Sequence, residues 1–414
     1  MSATSQGTSR FFRNWVGNQS CTPRDIRSPA DEAEVQEIVR DEAARGGQVR
    51  VVATGHSFTP VHLTSGTLIG LDRLHGVLDV DAERRRVTAL PGTAIGAFGE
   101  PLWEHGLALK NQGDIDTQGI TGAMGTATHG SGLGYQHLGA ALRRCRVVTG
   151  DGEVVEIGED DPDLLHAAQV SVGMLGVITE VELEVKEAYA LREEVAQWSI
   201  GEIRERFVPE SEARRHCSMF WCPTDESAAL YGLEMEPGRP IRDSAFIRIY
   251  DEAPADTPAD PTHRRRVDRS YRVFPMVYDP NFHELEYFVR WDRALEAFEA
   301  LRELMLASQP AAVFPMEVRS VGRDAAMLSP QHGQDTIVLS VSGRPGTDYW
   351  DYLRSVDALL GGEFDARVHW GKLHFLSREQ LLERYPRAQD FIDVRRRLDP
   401  EGLFLNDHLR PLFA

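Results

Sequence analysis

Lysine is almost missing from this chain. Of its 45 basic residues only Lys110, Lys186 and Lys372 are lysine, and arginine carries the rest of the positive charge. A lysine inside a compact motif therefore stands out. Cysteine is equally sparse: Cys21, Cys145, Cys217 and Cys222 are scattered. They give neither a disulfide framework nor the ligand spacing of a zinc site, and no metal is expected. Long apolar runs are absent as well. None reaches the roughly 18–20 residues that span a bilayer, and the opening MSATSQGTSRFFRNW lacks the continuous apolar core of a secretory signal. The net charge of −19 opposes binding to nucleic acid or to an anionic membrane. The expectation is a reduced, cytoplasmic protein with neither kind of partner.

What remains is ordinary globular composition, 42% hydrophobic and 26% charged over 414 residues, enough for two domains. Ser28-Pro29 reads as the cap and first turn of an amphipathic helix whose apolar stripe is Val35, Ile38, Val39 and Ala43. Strands are expected over 49–53, 67–71, 76–80 and 86–90, with helices over 97–105 and 162–168. Segments 146–149 and 153–157 flank Gly150-Asp151-Gly152, and alternation after Ile178 marks another strand. This block ends near residue 187. A second block, 188–375, is expected to carry strands over 246–250, 312–318 and 336–341 and helices over 293–308 and 350–360. Between them, 251–270 reads as an exposed loop. The tail, 376–414, ends in an apolar Leu403-Phe404-Leu405 that must dock somewhere. The class is α+β.

Asn111–Gly134 is rich in glycine and small residues. It fails the dinucleotide fingerprint, because Tyr135 stands where the third glycine of G-x-G-x-x-G belongs. Small residues still let backbone N–H groups approach a phosphate closely. A second such loop, Ala53–Thr59, follows a buried strand, and a third, Gly173–Thr179, precedes one. Three loops of this kind in one block indicate an extended, phosphate-containing cofactor.

Several motifs run in order along the whole chain: Gly55-His56-Ser57-Phe58, Thr128-His129-Gly130-Ser131-Gly132, Leu175-Gly176-Val177-Ile178-Thr179, Glu317-Val318-Arg319, His369-Trp370-Gly371-Lys372, Asp399-Pro400 and Phe404-Leu405-Asn406. On these the sequence resembles the vanillyl-alcohol oxidase superfamily, in its sugar-oxidising branch of gulonolactone, arabinonolactone and alditol oxidases. Asn111-Gln112-Gly113-Asp114 is similar to the actinobacterial gulonolactone type. The resemblance implies a two-lobed FAD-binding domain over 1–187. It implies an α+β substrate (cap) domain on a large antiparallel sheet over 188–375, and a segment 376–414 that returns to the first domain. It implies FAD bonded covalently through His56; no cysteine between Asn111 and Leu142 offers a second link. The cofactor contacts implied are Thr54, Gly55, Ser57 and Phe58 in the first loop. Gly119, Thr121, Gly122, Gly125, Thr126, Thr128, His129 and Gly130 follow in the second, and Gly176, Val177 and Ile178 in the third, joined by Lys372 and Asn406.

The resemblance also places Lys372 near flavin and substrate, where a fixed cation stabilises developing negative charge. Glu317 and Arg319 alternate on a strand and so share a face. The substrate contacts expected are Asp114, Glu317, Arg319, Ser340, Ser342 and Lys372. The proton acceptor is expected to be Glu317, Lys372 or His369, in that order. Asp114, Ser340 and Ser342 stand where alditol oxidases carry serine, histidine and threonine, a pattern more compatible with lactone oxidation. The expected activity is oxidation of an aldono-1,4-lactone by hydride transfer to flavin N5, with O2 as acceptor, Gly113 leaving it room, and hydrogen peroxide as product. The alternatives are alditol oxidation, a lactone dehydrogenase with another acceptor, and a non-catalytic sugar- or flavin-binding protein.

Overall fold

The computed structural model describes residues 10–277, 279 and 281–414. Asp31, not Ser28, caps the first helix, Glu32–Ala44: its side chain accepts the Glu34 N–H at 2.9 Å. Ser28 instead donates to Asp72. The extended residue directly before the first helical turn holds the capping position, and Asp31 is that residue. Val35, Ile38 and Val39 press this helix onto a three-stranded parallel sheet ordered Asp25–Arg27, Thr67–Gly70, Val49–Val52. The same apolar cluster includes Val148 and Val177. These belong to a five-stranded antiparallel sheet ordered Val154–Gly158, Leu142–Val148, Val177–Glu184, Arg86–Ala89, Val77–Asp81.

The largest element is an eight-stranded antiparallel sheet. Its order is Val267–Arg269, Tyr189–Ser199, Ser244–Pro254, His216–Cys222, Met316–Val321, Thr336–Gly343, His283–Arg290, Arg367–Val368. Leu285, Tyr287, Val289, Val318 and Leu339 on one face pack with Phe298 and Leu301 of helix Ala294–Ala307 and with Leu353 and Val356 of helix Trp350–Glu363. Successive strand residues point to opposite faces. The other face therefore carries Glu284, Glu286, Glu317, Arg319 and Ser340, and the register sets Glu286, Ser340 and Glu317 in one row across three strands.

Two further expectations change. The strand expected from 312 begins at Met316. The stretch read as loop 251–270 contains the end of Ser244–Pro254 and all of Val267–Arg269, both paired with Tyr189–Ser199. Backbone pairing with a distant strand overrides a composition that reads locally as loop.

The tail forms helices Arg378–Arg384 and Ala388–Leu398 and then lies along the parallel sheet. Val49 N–H donates to Leu403 O at 2.9 Å, and Leu403 and Phe404 join the core under the first helix. Arg50 fastens this region. Its guanidinium donates to the carbonyls of Val61 (2.6 Å), Val172 (2.7 Å), Gly173 (3.0 Å) and Phe404 (2.5 Å). Burial pushes it down to about 10, with Asp399 opposing, so it stays charged at neutral pH. Arg50→Met would leave these carbonyls without their donor. It should cost on the order of 3 kcal/mol, seen as a lower denaturation midpoint. Arg50→Lys should recover part of the loss, because an ammonium keeps the charge without the fork.

Candidate active site

The three small-residue loops converge on one cleft of about 1080 Å³. Its walls include Thr54, Gly55, His56, Ser57 and Phe58, then Gly119, Thr121, Gly122, Gly125, Thr126 and Thr128, then Gly176 and Ile178. Two glycines are sterically required. A Cβ at Gly119 would lie 2.5 Å from that of Ala53; one at Gly176, where φ is +141°, would lie 2.4 Å from Val148 O. His62 Nε2 and Gln118 Oε1 are buried in the wall with no hydrogen-bond partner among the described residues. Such groups are costly unless a polar ligand meets them. A long, small-walled cleft with polar groups to be satisfied fits FAD.

His56 stacks on Trp15, centroids 5.0 Å apart and planes at 29°. Its Nδ1 lies 2.8 Å from Thr54 Oγ1 and its Nε2 3.4 Å from Thr117 Oγ1. Burial, helped by the charge of Lys372, pushes the imidazole down to about 4. It is neutral at neutral pH.

Ile115, Gln118, Thr128, His369 and Lys372 line both this cleft and a second chamber of about 570 Å³, so the two spaces meet there. The chamber's floor is the polar face of the large sheet, with Glu284, Glu286, Glu317 and Arg319; Gly113, Asp114, His129, Tyr231 and Phe282 form its walls. Lys372 is ion-paired with Glu284. Arg319 is paired with Glu317 and, at 2.7 Å, with Asp114, which also meets Arg248 at 3.3 Å. Burial pushes the Glu317 carboxyl up to about 7; Arg319 opposes this, and the carboxylates of Asp114, Glu284 and Glu286 reinforce it. His369 is pushed down to about 3 by burial, against the pull of Glu286, and its Nδ1 accepts the Gly371 N–H at 3.0 Å.

Lys372, Glu317 and His369, the expected proton acceptors, thus stand together with Arg319 and Asp114, expected to contact substrate, around one chamber. Other expected contacts lie elsewhere. His129 lines the chamber and not the cleft. Val177 is in the core beneath the first helix. Gly130 packs on Asn111 and Gln112, where a Cβ would come within 2.2 Å of Gln112 O. Asn406 donates to the carbonyls of Pro60 and Leu63 (2.8 Å each), bracing the turn after the first loop. Ser340 and Ser342 are buried below the floor, the Ser340 Oγ within hydrogen-bond reach of both Glu284 and Glu286 and Ser342 bonded to Tyr231. Membership of a motif does not say which way a side chain faces, and neighbours in one motif alternate between ligand side and core. Sequence reasoning missed Trp15, Tyr231, Glu284 and Glu286. The two glutamates had a signal: His283-Glu284-Leu285-Glu286-Tyr287 alternates polar and apolar just as Glu317-Val318-Arg319 does.

Comparison with known proteins agrees with this geometry. A family model described as D-arabinono-1,4-lactone oxidase matches residues 239–412, and an FAD-binding-domain model matches 23–158. The chain is 34% identical to the L-gulono-1,4-lactone dehydrogenase of Mycobacterium tuberculosis, covering 97% of this chain and 99% of that protein. It is 30% identical to the alditol oxidase of a Streptomyces species (96% and 98% covered) and 26% identical to the L-gulonolactone oxidase of Mus musculus (97% and 98%). Among solved structures, cholesterol oxidase from B. sterolicum superposes with a TM-score of 0.81 at 14% identity, covering 98% of this chain and 97% of that one. 6-Hydroxy-D-nicotine oxidase from Arthrobacter nicotinovorans superposes at 0.72 and 17%, covering 93% and 91%. These last two share the fold.

The raised Glu317 carboxyl makes stability depend on pH. An acid that binds its proton more tightly when folded costs stability as pH rises from its unfolded value of 4.5 through about 7. Glu317→Gln removes that cost. The unfolding temperature of the variant, relative to the parent, should therefore be more favourable at about pH 8 than at about pH 5. An equal difference at both values would show that Glu317 ionises normally.

Proposed function

The chain belongs to the FAD-dependent sugar-lactone and alditol oxidase branch of the vanillyl-alcohol oxidase family, and from that premise we propose that it oxidises a neutral sugar-derived alcohol, an aldono-1,4-lactone of the gulonolactone type. The observation that carries this reading is the join at Lys372, where the cofactor cleft opens into a chamber floored by hydrogen-bonding groups. Each cation lining that chamber already holds a carboxylate: Lys372 holds Glu284, and Arg319 holds Glu317 and Asp114. A substrate carboxylate would have to compete for these cations. The hydroxyls and carbonyl of a neutral lactone find donors and acceptors, and none need be buried unpaired. On this reading residues 1–187 hold the FAD, 188–375 cap it, and 376–414 return to brace the first lobe.

FAD held in the cleft would supply the two-electron acceptor for the carbinol hydride, with O2 as the final acceptor and hydrogen peroxide as product. The protein's residues supply the rest. Glu317 takes the hydroxyl proton; burial holds its carboxyl at about 7, matched to proton transfer at neutral pH. Lys372 and His369 are less suited as bases. The lysine is engaged by Glu284, and the buried imidazole already accepts the Gly371 N–H. The Lys372 ammonium stands where cleft and chamber meet, and there it offsets the negative charge that hydride transfer delivers. Asp114 and Arg319 hold substrate hydroxyls. His56 carries the covalent link to the flavin, because a neutral imidazole is the nucleophile that link requires. Gly113 lines the chamber without a side chain, and a Cβ there would already come within 3.0 Å of His129 O. A branched residue at 113 would crowd that wall, so the glycine favours oxygen as acceptor.

Anaerobic mixing with L-gulono-1,4-lactone should bleach the flavin, whereas the open-chain aldonate should not. Readmitted air should restore the colour, more slowly in Gly113→Val. Reduction by the aldonate but not the lactone would reject the substrate class. A parent enzyme that reoxidises only with a quinone or dye would reject oxygen as acceptor. The covalent link has its own test. Acid-precipitated parent protein should remain yellow and yield a flavin-bearing peptide containing His56, while His56→Ala should release its flavin into the supernatant. Complete release from the parent would refute the link.

A further inference from the structure

We propose that His129 is held as an imidazolium, the cation that keeps Glu286 ionised, and that it is a positioning residue acting on Lys372 through Glu286, Ser340 and Glu284. The inference rests on the reading above for the role of Lys372, but its first observation does not. His129 Nδ1 lies 2.7 Å from Gly130 O. A carbonyl oxygen only accepts, so Nδ1 carries a proton. His129 Nε2 lies 3.0 Å from Glu286 Oε1, with both side chains buried. A neutral ring protonated at Nδ1 would turn its Nε2 lone pair toward a carboxylate oxygen, which repels it. A second proton must occupy that contact. Imidazole is more basic than carboxylate, so the proton belongs to the ring.

The neighbours offer no other solution. His369 accepts the Gly371 N–H at Nδ1, so its own proton is on Nε2; burial keeps it neutral, and it adds no charge beside Glu286. Donor atoms of His129, Glu286 and His369 lie within 4.8 Å of one another. In this tautomer, however, His369 has no free lone pair to offer a metal ion, which makes a proton the better occupant.

The consequence reaches Lys372 through a chain of contacts. Glu284 and Glu286 stand on one face of the same strand, and two neighbouring buried carboxylates each need a cation. Lys372 serves Glu284 and His129 serves Glu286. Ser340 lies between them, its Oγ bonded to Glu284 Oε1 and 3.1 Å from Glu286 Oε2. One hydroxyl proton cannot satisfy both acids at once. While His129 supplies Glu286, the serine is available to Glu284, and the Glu284–Lys372 pair keeps its place. With that charge removed, Glu286 competes for Ser340 and Lys372. Glu317 and Arg319 on the strand beyond that of Ser340, Asp114 on the wall and Tyr231 face the same space and would feel the altered charge.

Nuclear magnetic resonance of the substrate-free holoenzyme, with isotopically labelled histidine, tests the charge directly. The resonances lost in His129→Gln identify the ring. They should be those of an imidazolium at neutral pH and should become those of a neutral imidazole in Glu286→Gln. A neutral His129 in the parent overturns the proposal, whatever the substrate proves to be. Anaerobic flavin reduction, with any alcohol that reduces the parent, tests the positioning. Glutamine at 129 still donates to Glu286 but carries no charge. Losing a cation among these carboxylates raises their proton affinity, so the rise of rate with pH should move upward by about one unit, with roughly tenfold slower reduction at neutral pH that recovers in alkali. Ser340→Ala should slow reduction in the same direction by less. A uniform loss at every pH, or an unchanged profile, would overturn the positioning role even if the imidazolium is present. If His129→Gln does not fold, the Glu286→Gln spectrum and the Ser340→Ala profile decide the two halves.

Discussion

One buried guanidinium holds the cofactor-binding half together. Arg50 sits at the centre of the strand that leads into the His56 loop, and its N–H groups reach carbonyls in the turn after that loop, in the third glycine-rich loop and in the C-terminal segment. These are stretches of irregular backbone whose carbonyls lack the ladder partners that helices and sheets provide. A planar fork with five donors is the side chain best able to serve several at once. The Arg50 side chain also lines the cleft. The contact that closes the protein around its own tail thus also sets the spacing between two of the loops that form the cofactor site.

The other half is governed by the period of a strand. One sheet supplies a hydrophobic core on its helix-covered face and the floor of the chamber on the other, and the division follows from side chains alternating along each strand. The site is therefore built on paired backbone, with Glu286, Ser340 and Glu317 aligned by register. Rigid elements fix catalytic groups more tightly than loops do.

The chamber concentrates ionisable groups out of water, and their balance determines what it can do. Lys372 with Glu284, and Arg319 with Glu317 and Asp114, are mutual solutions to the cost of burial. Burial raises the proton affinity of Glu317; Arg319 opposes the rise, and the carboxylates of Asp114, Glu284 and Glu286 add to it. A carboxyl poised in this way is suited to taking and returning a proton. The same crowding makes the local charge sensitive to any cation removed from it, His129 included.

The sequence by itself determined the α+β class, the three small-residue loops, the polar–apolar alternation of Glu317-Val318-Arg319 and the exceptional Lys372. All of these are local: they depend on composition or on a period of two residues, and a local pattern needs no knowledge of what lies across the fold. It did not determine the cap of the first helix, where Asp31 and not Ser28 occupies the position, nor the strands whose composition is mixed. Only the tertiary structure decided that His129 faces the second chamber, that Ser340 lies below its floor and that Glu284 meets Lys372. His129 and Glu286 are 157 residues apart in the chain, and Glu284 and Lys372 are 88 apart. Their meeting is set by strand order, register and the docking of one lobe on the other, and these follow from the cooperative burial of both faces of the sheet, a property no short stretch of the chain carries.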